Sequence, residues 1–173
     1  MSTSRTHAVL DGPLGPMTVV GEDGALAGLY LDEQRHLPPT ARLGERDDTT
    51  LPGLQEQLAA YLAGELRAFD VALAPLGTPF QLEVWAALRR VPYGTTTTYG
   101  ALAAAIGRPS AVRAVGAANG RNPVGIVVPC HRVVGADGSL TGYAGGLDRK
   151  RFLLDLERRT AALEPLGQLS LLG

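Results

Sequence analysis

The stretch Tyr99-Gly100-Ala101-Leu102-Ala103-Ala104-Ala105-Ile106-Gly107-Arg108-Pro109-Ser110-Ala111-Val112-Arg113-Ala114-Val115-Gly116-Ala117-Ala118-Asn119 reads as two short helices around a tight turn. Leu102 and Ile106 fall on one face of the first helix. Gly107-Arg108-Pro109-Ser110 supplies the turn residues. Ala111 to Asn119 resumes as a second helix with Val112 and Val115 inward. This is a helix-turn-helix pattern. Its second helix is smooth: apart from Arg113 and Asn119 it carries only valine, alanine and glycine, which offer almost nothing that reads base edges in a major groove. A small helix with one arginine suits close approach to a narrow groove or a backbone, without much sequence preference.

Upstream, Thr78-Pro79-Phe80-Gln81 opens another helix. Thr78 can cap it, Pro79 fits its first position and Gln81 completes a capping box. Phe80, Val84 and Leu88 form its apolar stripe, Trp85 packs into the core, and Pro92-Tyr93-Gly94 ends it. Ala74-Pro75-Leu76-Gly77 reads as a linker. The chain therefore divides into an α/β unit over 1–73, a linker over 74–78, a mostly helical unit over 79–160 and a tail over 161–173. In the first unit Met17–Val20 and Ala25–Leu31 flank Gly21-Glu22-Asp23-Gly24, a hairpin signal. Asp32 to Thr50 is polar and reads as a long exposed loop. Leu54, Leu58, Tyr61, Leu62 and Leu66 recur at helical spacing, and Phe69, Val71 and Leu73 alternate as a strand. No paired carboxylates, phosphate loop or metal spacing mark this unit, so no chemistry is expected in it.

A hydrophobic fraction of 45% in 173 residues allows a full core. No run approaches the ~18 apolar residues of a membrane span, and the N-terminus lacks the apolar region of a signal peptide. One cysteine and three histidines (His7, His36, His131) leave no internal disulfide and no structural zinc site. The reading is a cytoplasmic protein without metal or cofactor. Charge is uneven: residues 1–78 hold 5 arginines against 11 acidic residues, while 79–173 hold 10 arginines and Lys150 against 6. The second half is the one suited to a polyanion.

Val128-Pro129-Cys130-His131-Arg132-Val133 carries the chemistry. The apolar run Val124–Val128 reads as a buried strand that delivers the only thiol and an imidazole into a turn. A free thiol is only a few per cent ionised at neutral pH, so a nucleophilic cysteine needs a base or a positive field. Neighbours in a regular strand face opposite ways, so contact between Cys130 and His131 needs the turn at Pro129 or a bridging water. Glu157 is the candidate partner for His131. It lies in the helix expected over Asp148–Thr160, beside Leu153, Leu154 and Leu156, with no cation at helical spacing. A carboxylate on an apolar face needs a partner from elsewhere. Without a second cysteine, no redox cycling occurs within the chain.

Pro129-Cys130-His131-Arg132-Val133, with Asn122-Pro123 before it and Gly142-Tyr143-Ala144-Gly145-Gly146 after it, closely resembles the O6-alkylguanine-DNA alkyltransferases. Tyr99-Gly100, Arg113-Ala114-Val115-Gly116 and Leu153-Leu154 with Glu157 fit the same family in order and spacing. The resemblance is strong from about Phe80 to Arg159 and looser before. It implies an N-terminal ribonuclease-H-like α/β domain and a mostly α C-terminal domain with a helix-turn-helix. It implies a monomer that binds double-stranded DNA through the minor groove, flips an O6-alkylguanine out and moves the alkyl group to Cys130 in a single turnover. By that likeness His131 deprotonates the thiol through a water, Glu157 orients His131, Tyr143 donates to the departing guanine, and Asn122 braces the turn. Arg113 fills the gap in the stack, Tyr99 presses the neighbouring phosphate aside, and Ala114, Gly116 and Asn119 complete the DNA-facing helix. Val133, Ala144 and Gly145 form the pocket wall. Gly125 and Ala144 depart from residues common in relatives. Other readings of the same residues are a non-catalytic lesion binder, against which Cys130 argues, a transcriptional regulator, against which the smooth second helix argues, and a cysteine hydrolase with a Cys–His–Glu arrangement.

Overall fold

The computed structural model describes the backbone over residues 4–172 and side chains up to residue 163. A four-stranded sheet, ordered β3-β2-β1-β4, contains β1 (Arg5–Leu10), β2 (Met17–Glu22), β3 (Ala25–Leu31) and β4 (Glu45–Arg46). β2 and β3 are antiparallel and paired out to Glu22↔Ala25. Asp23 and Gly24 both take positive φ, 50° and 83°, as the tightest primed hairpin turn requires. β1 escaped the sequence reading because only Ala8 of its six residues is buried; its ladder to β2, not an apolar pattern, defines it. The expected loop over 32–50 also holds β4, paired parallel to β1.

Helix α1 (Pro52–Leu62) buries Leu54, Leu58 and Tyr61. The strand expected at Phe69–Leu73 shrinks to a single bridge between Leu73 and Leu26. Its main chain is held at Leu26 N–Ala72 O and Ala74 N–Leu26 O, both 2.8 Å. The same open edge of β3 carries a second bridge, Leu29 to Val124, with Leu29 N donating to Pro123 O at 2.9 Å. The sheet is thereby stitched to the segment that leads to Cys130.

Helix α2 (Pro79–Leu88) begins with the capping box read from the sequence: Gln81 N donates to Thr78 Oγ1 at 3.1 Å and Thr78 N to Gln81 Oε1 at 3.0 Å. Buried Trp85 ties it to the next helices by donating Nε1–H to Ala118 O at 2.8 Å. Helices α3 (Tyr99–Ala105) and α4 (Val112–Gly120) form the helix-turn-helix, and Thr98 caps α3. Val115 is inward as expected, but Val112 is exposed. It is the first residue of α4, so no preceding helical turn lies beside its side chain. β5 (Thr97–Thr98) and β6 (Val133–Val134) pair in parallel and join the start of α3 to the end of the Cys130 segment. Helix α5 (Leu147–Leu172) runs on past Thr160, where the sequence reading ended it.

The strand expected at Val124–Val128 is a correction. These residues are buried but form a series of turns, apart from the single bridge at Val124. A short apolar run reports burial, not conformation. Buried side chains from both halves, among them Leu29, Leu58, Val84, Val128 and Leu153, belong to one core cluster. Among the described residues no helix is long and apolar enough to cross a membrane.

Candidate active site

The turn series is held from within. Asn122 Nδ2 donates to Val128 O at 2.8 Å while Asn122 Oδ1 accepts from Val124 N at 2.9 Å. One side chain thus bridges both ends of the segment. Ile126 takes φ 71°, a left-handed conformation that a branched side chain disfavours. Cys130 N donates to Val128 O at 2.8 Å around Pro129 at φ −82°, ψ 62°, an inverse γ-turn. Cys130, His131 and Arg132 then form one turn of 3-10 helix, all three buried. This tight winding separates the cysteine and histidine side chains less than a strand would.

His131 is fully buried, and its Nε2 stands 2.8 Å from Glu157 Oε2, also fully buried. The pairing anticipated from sequence is therefore present. Glu157 has further donors. Arg132 grips it with two bonds, Nε to Oε1 at 2.8 Å and a terminal nitrogen to Oε2 at 2.9 Å. The Tyr61 hydroxyl donates to Oε2, and Gly94 N approaches Oε1 at 3.4 Å. Burial alone would raise the Glu157 carboxyl, but the hydrogen bonds from His131 and Arg132 outweigh it and hold the pKa at about 2. An ionised carboxylate only accepts, so His131 carries its proton on Nε2. That leaves the lone pair on Nδ1, which is buried and has no hydrogen-bond partner among the described residues.

Burial pushes the Cys130 thiol up, opposed by a hydrogen bond with Asn122 and the charge of Lys150. Burial pushes His131 down, opposed by Glu157. The resting pair is a neutral thiol beside a neutral imidazole, each ready to exchange a proton only when a reaction supplies the drive. Lys150, the only lysine in the chain, is fully buried. Its Nζ donates to Val133 O and Thr141 O, both at 2.6 Å, and to Gly142 O at 3.3 Å. Burial lowers this amine to about 8, with Cys130 acting in the opposite sense. It staples the loop over 141–146 to β6.

That loop covers the thiol. Tyr143, Ala144 and Gly145 line a small cavity together with Cys130, Asn122, Gly125 and residues of β3. Burial, and then the nearby Cys130, keep the Tyr143 hydroxyl well above its ordinary value, so it is available as a donor. A Cβ at Gly145 would stand 2.6 Å from Leu31 Cδ1 and 2.8 Å from Tyr143 Cε2, so both side chains would have to shift to admit one. Val133 does not line this cavity; it is fully buried in the pairing with Thr97.

On the outer side, Arg113 and Ala114 are exposed on α4. Gly116 faces Tyr99, whose ring would lie 3.7 Å from a Cβ at that position. The Tyr99 hydroxyl accepts from Thr141 Oγ1 at 3.2 Å. Asn119 is buried, its Oδ1 without a partner among the described residues. Its side chain borders a cavity of about 400 Å3 shared with Tyr99, Gly116, Arg121, Tyr143 and Arg35. Sequence reasoning missed Tyr61, Lys150 and the role of Arg132, and it expected no chemistry in the N-terminal half. A hydroxyl on the apolar stripe of α1 and a solitary lysine amid arginines were the available signals. Among the described residues no cluster of histidine, cysteine or acidic side chains could hold a metal ion.

Residues 79–159 match the family model described as the DNA-binding domain of 6-O-methylguanine DNA methyltransferase, and residues 6–75 match its ribonuclease-like domain. A methylated-DNA–protein-cysteine methyltransferase of Mycolicibacterium paratuberculosis is 51% identical over 154 residues, which cover 88% of this chain and 92% of that protein. One from Methanosarcina acetivorans is 48% identical over 151 residues, 87% of this chain and 97% of its own. The crystal structure of Mycobacterium tuberculosis OGT in complex with DNA matches with a TM-score of 0.85 and 49% identity, over 90% of this chain and 94% of that one.

Proposed function

The chain belongs to the 6-O-methylguanine DNA methyltransferase family, and from that premise we propose that it reverses O6-alkylation of guanine in duplex DNA by moving the alkyl group to Cys130. The observation that carries this reading is the buried acid–base pair that follows the thiol in sequence: His131 neutral, its Nε2 held by ionised Glu157, its Nδ1 without a hydrogen-bond partner among the described residues.

In this scheme the exposed face of α4 enters the minor groove. A smooth alanine and glycine surface permits close approach, and Arg113 takes the place of the extruded base. Tyr99 displaces the adjacent phosphate. Asn119, Gly116 and Ala114 shape the surface beside the flipped nucleotide, and Ala144 and Gly145 close on it from the loop, while Val133 O accepts from the Lys150 amine that holds that loop. The thiol proton passes to His131 Nδ1 over one water. The sulfur attacks the alkyl carbon, the S–C bond forms and the C–O6 bond breaks. Tyr143 donates to the leaving guanine and the proton held by His131 restores neutrality, so unmodified guanine and a thioether remain. Asn122 keeps the turn in shape throughout. Nothing in the chain cleaves a thioether, so each molecule acts once.

We further read the chain as a cytoplasmic monomer without a cofactor, divided at 74–78 into an α/β unit over 1–73 and a DNA-binding, reacting unit over 79–160, with 161–173 as its tail. The test of the main reading is intact-protein mass spectrometry after incubation with an O6-methylguanine duplex. Wild type gains the mass of one methylene and saturates at one per chain, while Cys130→Ser gains nothing. Tight binding without a mass gain would instead indicate a lesion binder.

A further inference from the structure

The N-terminal half also reaches the thiol. The segment following β3, residues 32–36, lies across the loop over 142–146. Arg35 N donates to Ala144 O at 2.9 Å. The Arg149 guanidinium bonds Asp32 O at 2.6 Å, Leu14 O at 3.1 Å and Gly145 O at 3.3 Å, so it binds strap and loop together. Glu33 and His36, on either side of Gln34 and Arg35, take φ of 59° and 60°, unfavourable for non-glycine residues. Gln34 is fixed within this strap: its Oε1 accepts from Leu31 N at 2.7 Å and its Nε2 donates to Arg35 O at 3.3 Å. Gln34 and Leu31 line the same cavity as Cys130 and Tyr143. That cavity holds about 10 Å3, the space of about one water. A base and its substituent need more room than this beside Cys130, and the N-terminal side of that cavity is formed by Leu29, Leu31 and Gln34.

We propose that Gln34 is a specificity-determining residue, and that the volume of its side chain, backed by Leu31, sets which O6 substituents can be accommodated at Cys130. This rests on the alkyl-transfer reading above. The recognition residues of α4 and of the loop over 142–146 come from the helical half; Gln34 lies in the strap after β3. Shape selection of this kind discriminates by the room left for a few carbon atoms, because a wall that must yield to a larger group costs the reaction its fit.

The experiment measures single-turnover rate constants on duplexes carrying O6-methylguanine or O6-benzylguanine, for wild type, Gln34→Ala and Gln34→Met. Removing volume in Gln34→Ala raises the benzyl-to-methyl rate ratio about ten-fold or more, the scale on which a pocket senses missing methylenes. Gln34→Met nearly keeps the volume and loses both the acceptor for Leu31 N and the donor to Arg35 O, so its ratio stays near wild type if volume decides. An unchanged ratio in Gln34→Ala with normal methyl transfer overturns the proposal alone. So does a Gln34→Met ratio that shifts as far as the alanine variant, since the hydrogen bond and not the volume would then be responsible. Absence of methyl transfer by wild type overturns both this inference and the functional reading beneath it.

Discussion

Tyr61 and Glu157, 96 positions apart in the sequence, meet in the interior, where the Tyr61 hydroxyl donates to the carboxylate that also holds His131. A helix of the sheet-bearing half thereby takes part in the network that sets the base next to Cys130. Burial and the neighbouring Glu157 raise the Tyr61 pKa, so its proton stays available to the carboxylate.

Glu157→Gln preserves shape and removes charge. The glutamine oxygen cannot satisfy donors from His131, Arg132 and Tyr61 together, and its amide adds donors of its own. Transfer slows by roughly 10²–10⁴, the range for a positioned acid–base group. Stability falls by about 3–5 kcal/mol because the buried Arg132 loses its counter-charge. Quenched single-turnover assays and urea denaturation read the two effects; a variant as stable as wild type would contradict the network.

Tyr61→Phe deletes one hydroxyl from the same network and leaves Arg132 and His131 on Glu157. The expected loss is about 1.5–3 kcal/mol, as for a hydrogen bond to a charged group, with a much smaller fall in transfer rate than for Glu157→Gln. A denaturation midpoint equal to wild type would show that this contact contributes nothing.

Acid should weaken the fold through Glu157. Its folded pKa of about 2 lies below the ordinary 4.5. The stabilisation is fully present above 4.5 and is lost as pH falls from there toward 2, because the unfolded chain takes up the proton first. The shift corresponds to about 3 kcal/mol. Thermal melts at successive pH values should show wild type losing more over this window than Glu157→Gln; parallel curves would refute the assignment.

Arg113→Ala should separate DNA handling from chemistry. Arg113 is exposed on α4, far from the buried network in role. Duplex affinity should drop, and if the side chain also touches phosphate, the salt slope should fall by about 1. Reaction of Cys130 with the free O6-methylguanine base should remain at the wild-type rate. A matching loss with the free base would place Arg113 in the fold or the pocket instead.

Lys150→Met removes a buried positive charge that, after the hydrogen bond with Asn122, opposes the raised thiol pKa. The pH profile of Cys130 alkylation by iodoacetamide should move to higher pH. A profile that stays in place would mean that Lys150 serves only to staple the loop to β6.

Much of the helical half was legible because its signals are local. Thr78, Pro79 and Gln81 specify a helix start within four residues, and the helix-turn-helix needs only two apolar faces and a glycine turn. Cys130 and its partner Glu157 were legible because each was out of place: a thiol between proline and histidine, and a carboxylate beside leucines without a nearby cation. The turn series at Val124–Val128 misled for the opposite reason. Its conformation depends on Asn122 bonding both ends and on the edge of β3 taking Val124, neither of which a run of valines announces.

Which groups could react can be read along the chain, since a side chain's chemistry and its spacing along a helix or turn travel with it. Their states and surroundings come from folding. The neutral His131, the ionised Glu157 and the wall at Gln34 arise from burial and from contacts made across the fold, by Tyr61 from α1, Arg132 from the turn, Lys150 from α5 and the strap after β3. Desolvation and hydrogen bonding act through space, so residues distant in sequence set the properties of a site that its own motif only names.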